Sequence, residues 1–194
     1  MRLAQYEIKT KISKEYFKMP YKIEPAQSVY QGLVRKLTLA GMNPKYQWFF
    51  SDGAFSPDSI VSSTTNSWTS EDFVVLDDEG IIAFFSAKWV RPLDILNSLR
   101  IILFDETKSI AATKAFFEYL DYLFAGRGCN ALNWIVAEKN EHAYQLYERF
   151  IKKYCGHRVG KRHYGQKSYT GEISDVILYE ITKEEYFDWK KNEI

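Results

Sequence analysis

A chain of 194 residues, of which 46% are hydrophobic and 26% charged, has the composition of a globular protein, and this excludes a disordered one. We expect a single domain that spans residues 1–194. The formal net charge is +1, from 26 basic and 25 acidic residues, and this balance excludes the strong basic excess of a dedicated nucleic-acid binder. We therefore expect no nucleic-acid partner.

The cysteines and the apolar segments limit the cellular setting. Cys129 and Cys155 lie in different predicted elements and give no metal-binding spacing, so we expect two reduced thiols and no metal. Residues 1–16 hold no apolar stretch of the kind found in signal peptides. No segment approaches the ~20 apolar residues that a membrane span needs. We expect a cytoplasmic protein without a membrane partner.

The first part of the chain predicts a strand, a helix and a long loop. Residues 3–12 alternate between apolar and polar types, as a half-exposed strand does. Residues 26–40 have their apolar side chains at helical spacing, and Gly41 is the expected C-cap. Residues 56–70 are rich in Ser, Thr, Asp and Pro. We interpret this segment as a surface loop or, alternatively, as a lid over a substrate.

The middle of the chain predicts an antiparallel meander of three strands. Apolar runs at residues 73–76 and 81–89 flank an acidic turn that ends in Gly80, which is the pattern of a hairpin. A third apolar run covers residues 94–104. Its last residues, 101–104, also form the first strand of a strand–helix–strand–helix unit, whose two strands are parallel. We therefore expect a mixed sheet, with both antiparallel and parallel strands.

The second pattern is a strand–helix–strand–helix unit. Strand 101–104 leads into an apolar-striped helix at residues 111–124, and after a Gly-rich break strand 131–137 leads into helix 141–150. Parallel strands of this kind commonly carry a ligand at their carboxyl ends. The rest of the chain predicts a closing antiparallel pair and a short amphipathic helix, at residues 155–166, 175–182 and 183–191.

One segment of this unit resembles a known family. Residues 140–150 read Asn-Glu-His-Ala-Tyr-Gln-Leu-Tyr-Glu-Arg-Phe, and they are similar to the N-x-x-A-x-x-L-Y-E-K-x-G-F segment of the GNAT superfamily of acyl-CoA N-acyltransferases. The order of elements and the final strand, 175–182, also resemble this family. Taken alone, the spacing fits any amphipathic helix with an Asn N-cap. The resemblance implies an α/β fold (α+β in some schemes) with a mixed, mostly antiparallel central sheet of about seven strands and helices on both faces.

The family also carries a pyrophosphate-binding loop, Q/R-x-x-G-x-G/A, at the start of a helix. Such a loop binds phosphate through backbone N–H groups, and small residues let the backbone approach. Alignment on the helix places this loop at Lys108, Ser109, Ile110, Ala111, Ala112 and Thr113. Lys108, Ala111 and Thr113 depart from the common pattern, so the loop is degenerate. The alternative interpretation is an ordinary helix start that Thr107 or Ser109 caps.

The resemblance implies the remaining parts of an acetyl-CoA site. The strand that includes Ile102, Leu103 and Phe104 would hydrogen-bond the pantetheine arm, and this strand and strand 131–137 would separate to admit it. Asn140 would hold the pantetheine from the far side. Tyr147 would lie near the sulfur and donate a proton to the leaving thiolate. The alternative for Tyr147 is a core tyrosine with a satisfied hydroxyl.

A general base must also take a proton from the attacking ammonium. Some family members use a Glu five residues before the Asn, but this chain has Ile135 there. We take Glu106, which follows strand 101–104, as the candidate catalytic base. Asp94 and Glu138 are further carboxylates near strand ends, and any of the three would otherwise be an ordinary solvated side chain.

Three functional hypotheses follow. The leading one is an N-acyltransferase, monomeric or homodimeric, that moves an acetyl group from acetyl-CoA to an unidentified primary amine by direct attack. Its acceptor surface would comprise residues 46–55, the loop with Trp68, and residues 161–169. The second is a non-catalytic protein of the same fold that acts as a binding or assembly module. The third is an unrelated α+β domain that binds single-stranded nucleic acid through aromatic side chains, which the near-neutral charge disfavours.

Overall fold

The computed structural model describes residues 21–49 and 69–192. The strand predicted at residues 3–12, and residues 56–68 of the predicted loop, lie outside these ranges. The described residues form the strands and α-helices β1 Lys22–Pro25, α1 Tyr30–Gly41, β2 Ser70–Asp77, β3 Gly80–Val90, β4 Ile95–Leu103, α2 Ser109–Asp121, β5 Ala131–Ala137, α3 Glu141–Lys153, β6 His157–Lys167, β7 Ile173–Thr182 and α4 Lys183–Asn192. None of these four helices has the length and apolar composition that a membrane crossing requires.

The strands form one seven-stranded sheet in the order β1-β2-β3-β4-β5-β7-β6. Neighbouring strands are antiparallel except β4 and β5, which are parallel. Helix α1 packs on one face through Leu33 and Leu37. Helices α2, α3 and α4 pack on the other face. The expected fold class, a mixed and mostly antiparallel sheet with helices on both faces, is confirmed.

The element boundaries follow the predictions with a few differences. Gly41 is the last residue of α1 and Met42 is the C-cap, so the prediction that Gly41 caps the helix is wrong by one residue. The β2–β3 hairpin is confirmed, and Gly80 in its turn has a φ of 118°, which a residue without a Cβ adopts readily. Strand β2 begins before the predicted residue 73, because it includes Glu71 and Asp72, whose burial an apolar pattern does not reveal.

The aromatic residues pack mainly between the sheet and helices α2 to α4. Phe116 lies 5.5 Å from Phe85 of β3 and 5.9 Å from Phe150 of α3, measured between ring centroids. Phe117 stacks on Phe150 and on Trp189 of α4, at 6.0 and 5.1 Å. Contacts of this kind add about 0.5–1.5 kcal/mol per pair beyond the burial of apolar area. Core packing therefore accounts for these aromatic residues of the described part of the chain.

Gly156, between α3 and β6, has no room for a side chain. Its φ is +93°, and a Cβ would lie 2.7 Å from the Glu180 carbonyl oxygen. We expect Gly156→Ala to lower the free energy of unfolding by about 1–3 kcal/mol, because both the backbone conformation and the contact are strained. Denaturant unfolding measures the change. Gly160→Ala is the matched control, since no atom lies within 4 Å of its Cβ position. An equal loss in both variants would contradict this reasoning.

Candidate active site

Strands β4 and β5 separate soon after they begin. Their parallel pairing covers residues 95–96 and 131–132 and ends there. Beyond it, β4 stays paired with β3 and β5 stays paired with β7. We call the opening, bounded by residues 97–103 and 133–137, the β4–β5 gap. The predicted separation of these two strands is confirmed.

The β4 side of the gap presents backbone hydrogen-bonding groups. The Phe104 N–H donates to the Ile82 carbonyl of β3 over 2.8 Å. Successive residues of a strand point their N–H and C=O groups to opposite sides. The backbone groups of Ile102 therefore face β3 as well, whereas those of Ile101 and Leu103 face the gap. An extended ligand beside β4 would pair with these two residues as another strand would.

The β5 side of the gap holds two buried polar atoms without a hydrogen-bond partner among the described residues. They are the indole nitrogen of Trp134 and the side-chain oxygen of Asn133. Buried polar groups in proteins are nearly always paired. Trp134 and Asn133 are consecutive in β5, so their side chains lie on opposite faces of the sheet, and neither atom is exposed to a ligand in the gap.

Tyr147 projects from α3 onto the same part of β5. Its partly buried ring lies 5.3 Å from Trp134 and 6.0 Å from Tyr179, measured between centroids. Its hydroxyl forms no hydrogen bond with the part of the chain that the structure describes. Burial raises the pKa of Tyr147, so the hydroxyl is protonated at neutral pH and available as a proton donor.

Asn140 caps α3 beside the carboxyl end of β5. Its side-chain oxygen accepts a hydrogen bond from the Ala143 N–H over 3.4 Å, and its own N–H donates to the Ala137 carbonyl. The cap uses the side-chain oxygen and leaves the NH₂ group of the same amide to donate to a ligand. The two sequence-based interpretations of Asn140, an N-cap and a ligand contact, are therefore compatible.

The turn before α2 is capped by a carboxylate. Asp105 accepts hydrogen bonds from the N–H and the hydroxyl of Thr107, at 2.9 and 2.7 Å. These hydrogen bonds lower the pKa of Asp105. The Ser109 N–H donates to the Glu106 carbonyl. Asp105 thus caps this turn, and Lys108 is the N-cap residue of α2 without a side-chain cap, so neither Thr107 nor Ser109 caps the helix. The backbone N–H groups of Thr107 and Ser109 already have partners.

Lys108 forms ion pairs with the β2–β3 turn. Its ammonium lies 3.0 Å from a carboxylate oxygen of Asp77 and 3.6 Å from one of Glu79. The hydrogen bond between Lys108 and Asp77 raises the pKa of the lysine and lowers the pKa of the aspartate. The charge of Lys108 is therefore already balanced by carboxylates in the free protein.

A cleft of about 340 Å³ lies between the start of α2 and the end of α3. It is lined by Ser109, Ile110, Thr113, Lys114, Phe117 and Tyr154. Ile110 is 74% exposed, Ala111 is partly exposed and Ala112 is buried. Three residues of the predicted pyrophosphate loop thus border one open groove, and Lys114 adds a cation to its wall.

Glu106 lies in the turn between β4 and α2. Its side chain is 66% exposed and forms an ion pair with Lys45. The hydrogen bond from Lys45 lowers the pKa of Glu106, and the nearby His142 of α3 acts in the same direction. Glu106 therefore lies near Lys45 and near the start of α3. The other two candidate carboxylates also have cationic partners, in the pairs Asp94–Arg91 and Glu138–Lys161.

Residues 43–49, here called the crossing segment, contact the β4 side of the gap and the β6–β7 hairpin, on the face of the sheet that carries α1. The Tyr46 hydroxyl donates to the Leu103 carbonyl of β4 over 2.9 Å. Two further bonds join the segment to the β6–β7 hairpin, from Gln166 to the Trp48 carbonyl at 2.7 Å and from Thr170 to the Gln47 side chain at 3.0 Å. Two parts of the predicted acceptor surface are thus adjacent, whereas the loop with Trp68 lies outside the described residues. The Tyr46 contact leaves no local signal in the sequence, because 57 positions separate its partners.

The sequence matches no family model and no curated protein. Among solved structures, a complex of spermidine N-acetyltransferase from Vibrio cholerae with CoA and spermine has a TM-score of 0.64 at 16% identity, over 87% of this chain and 98% of that one. A GCN5-related N-acetyltransferase from Brucella melitensis has a TM-score of 0.64 at 18% identity, over 88% and 79% of the two chains. A ribosomal-protein-S5-alanine acetyltransferase from Vibrio fischeri has a TM-score of 0.63 at 14% identity, over 90% and 98%. The chain therefore has the fold of the GNAT superfamily.

Proposed function

We propose that the protein is an acyl-CoA-dependent N-acyltransferase that moves an acetyl group from acetyl-CoA to a primary amine. The observation that carries this proposal is the β4–β5 gap, with the backbone groups of Ile101 and Leu103 on one side and Tyr147 on the other. It is supported by the neighbours of known structure, which are N-acetyltransferases, one of them in complex with CoA.

The residues around the gap fit acetyl-CoA, which would supply the acetyl group as an activated thioester. Ile101 and Leu103 would pair with the amide groups of its extended arm, while Ile102 and Phe104 hold β4 against β3. Asn140 would donate from its NH₂ group at the carboxyl end of β5.

The cleft at the start of α2 would take the pyrophosphate, and here the fit is looser. Ser109, Ile110 and Thr113 line this cleft, but Lys108 pairs with two carboxylates and Asp105 occupies one N–H group of the turn. A pyrophosphate would compete with Asp77 and Glu79 for the Lys108 ammonium. We therefore expect the gap to contribute more of the affinity than this loop does.

Two side chains would move protons in the reaction. Glu106 would accept a proton from the acceptor's ammonium, directly or through a water molecule. Tyr147 would donate its proton to the leaving sulfur. The Tyr147 hydroxyl is protonated and has no partner among the described residues, which supports its role, and the place of Glu106 in the turn that follows β4 supports the other.

Calorimetry with acetyl-CoA tests the proposal, and we expect saturable heat at sub-millimolar ligand. Ser109→Asp should weaken binding by about 10-fold or more, because a carboxylate beside the cleft repels the pyrophosphate. The same charge at a helix start stabilises α2, so the loss would not come from unfolding. Ser109→Ala is the control and should bind like the wild type. Absence of heat with the wild type would contradict the proposal.

Glu106→Gln is expected to lower kcat/KM by about 10-fold near neutral pH. This loss is smaller than the loss expected for a strong general base, because the lowered pKa of Glu106 makes it a weak base. The loss should shrink as the pH approaches the pKa of the acceptor ammonium, about 10.4 for a lysine-like amine, since a neutral amine needs no base. Steady-state rates from neutral pH to this value measure the effect, with Asp188→Asn, on the 71% exposed Asp188 of α4, as the control. A loss that is constant over this range would contradict the role.

A second candidate function is a non-catalytic binding or assembly module of the same fold. It is favoured by the pairing of Lys108 with Asp77 and Glu79 and by the Asp105 cap, which together occupy the loop that would bind pyrophosphate. This candidate predicts a folded protein that gives no heat with acetyl-CoA. The same calorimetry therefore separates the two functions.

A further inference from the structure

We infer that Tyr46 is a second tyrosine of the active site, which accepts a hydrogen bond from the acceptor's amine nitrogen and thereby positions it for attack. The inference rests on the proposed function and deepens it. It gives the crossing segment a contact with the acceptor from the α1 face, opposite to Tyr147 on α3.

The Tyr46 hydroxyl is free only to accept further hydrogen bonds. A tyrosine hydroxyl has one hydrogen, and Tyr46 donates it to the Leu103 carbonyl over 2.9 Å. Its remaining lone pairs need a donor. An amine or an ammonium offers N–H donors, whereas an acyl oxygen or a carboxylate offers acceptors alone. A hydroxyl that can only accept further hydrogen bonds therefore suits a primary amine, which can donate them.

The Tyr46 oxygen lies on the gap side of β4. The alternation of backbone groups along β4 points the Leu103 carbonyl away from β3 and towards β5. A hydroxyl within hydrogen-bond distance of that carbonyl must lie on the same side. Tyr46 is thus adjacent to the backbone groups proposed to hold the thioester arm, and an amine that attacks the thioester has to arrive there.

The crossing segment fixes this oxygen in place. Asn43 caps the short 3₁₀ helix that contains Tyr46, by accepting from the Lys45 N–H at 3.0 Å. The Tyr46 ring packs against the core on the α1 side of the sheet. Bonds from Gln166 and Thr170 hold the end of the segment on the β6–β7 hairpin. A group that is already ordered loses little freedom on binding, so it can orient the amine for reaction.

Tyr46→Phe tests the inference, because it removes the hydroxyl and keeps the ring. The amine probes are spermidine, 1,4-diaminobutane and phenethylamine. We expect kcat/KM for the best of these acceptors to fall by about 10–100-fold, while the acetyl-CoA Kd from calorimetry stays within about two-fold of wild type. Thr170→Val is the matched control. It removes another bond of the crossing segment, the one to Gln47, and should change kcat/KM by less than about three-fold.

Each other outcome counts against the inference in a distinguishable way. A Tyr46→Phe enzyme as active as the wild type overturns the inference and leaves the proposed function intact. Equal losses in Tyr46→Phe and Thr170→Val also overturn it, since both would then reflect a loosened crossing segment. A wild type that binds acetyl-CoA but acetylates none of the three amines overturns the inference for acceptors of this class, while acetyl-CoA binding still supports the proposed function. Absence of acetyl-CoA binding by the wild type would contradict the proposed function itself, which begins with that binding.

Discussion

Replacing Tyr147 by phenylalanine is expected to lower kcat by about 100-fold, with little change in the free energy of unfolding. The ring of Tyr147 packs against Trp134 and Tyr179, and a phenyl ring keeps these contacts. Its hydroxyl has no partner in the described part of the chain, so its removal breaks no hydrogen bond there. The variant therefore loses the proton donor for the leaving thiolate and little else.

Steady-state kinetics and calorimetry together identify this loss. We expect it in kcat, with the acetyl-CoA Kd nearly unchanged. Burial raises the pKa of Tyr147, so the wild-type donor stays protonated into the alkaline range, and its advantage over the variant should persist there. Tyr144→Phe, on the same helix, is the matched control. A Tyr147→Phe rate within about two-fold of the wild-type rate would exclude this tyrosine as the general acid.

The features of the site that belong to one local element could be predicted from the sequence. Asn140 and Tyr147 lie on one helix, and an N-cap and an apolar stripe fix where that helix begins and which face it buries. The β4–β5 gap was predicted through the family resemblance alone. No periodicity in residues 97–103 or 133–137 requires the strands to separate, because each reads as an ordinary buried strand.

The features that could not be predicted depend on contacts between distant parts of the chain. Lys108 occupies the position of a phosphate ligand in the sequence, but its partner Asp77 comes from a different hairpin. Tyr46 reaches a carbonyl in β4 that no local pattern connects to it. Capping of the turn before α2 is a case of competition, since Asp105, Thr107 and Ser109 are all suitable caps and only the path of the turn selects Asp105.

Glu71→Ala is expected to lower the free energy of unfolding by about 3–5 kcal/mol. The Glu71 side chain is 4% exposed and lies in the part of β2 that the apolar pattern missed. Its carboxylate accepts from the Trp89 indole N–H at 2.8 Å, from Arg127 at 2.7 Å and from the Tyr122 hydroxyl at 3.1 Å. Removing it leaves a partly buried charge and two further donors without their acceptor, and each such group retains its desolvation cost.

Two further substitutions separate the effect of breaking these hydrogen bonds from the effect of removing any glutamate side chain. Glu71→Gln keeps an oxygen that can accept from Trp89 and Arg127, so it should cost about 1–2 kcal/mol. Glu79→Ala removes a side chain that is 75% exposed and 3.6 Å from Lys108, and should change stability by less than about 0.5 kcal/mol. Denaturant unfolding compares all three variants. Similar losses for Glu71→Ala and Glu79→Ala would mean that the buried network adds no more than a surface ion pair. The early start of β2 would then follow from its pairing with β3 and not from the partners of Glu71.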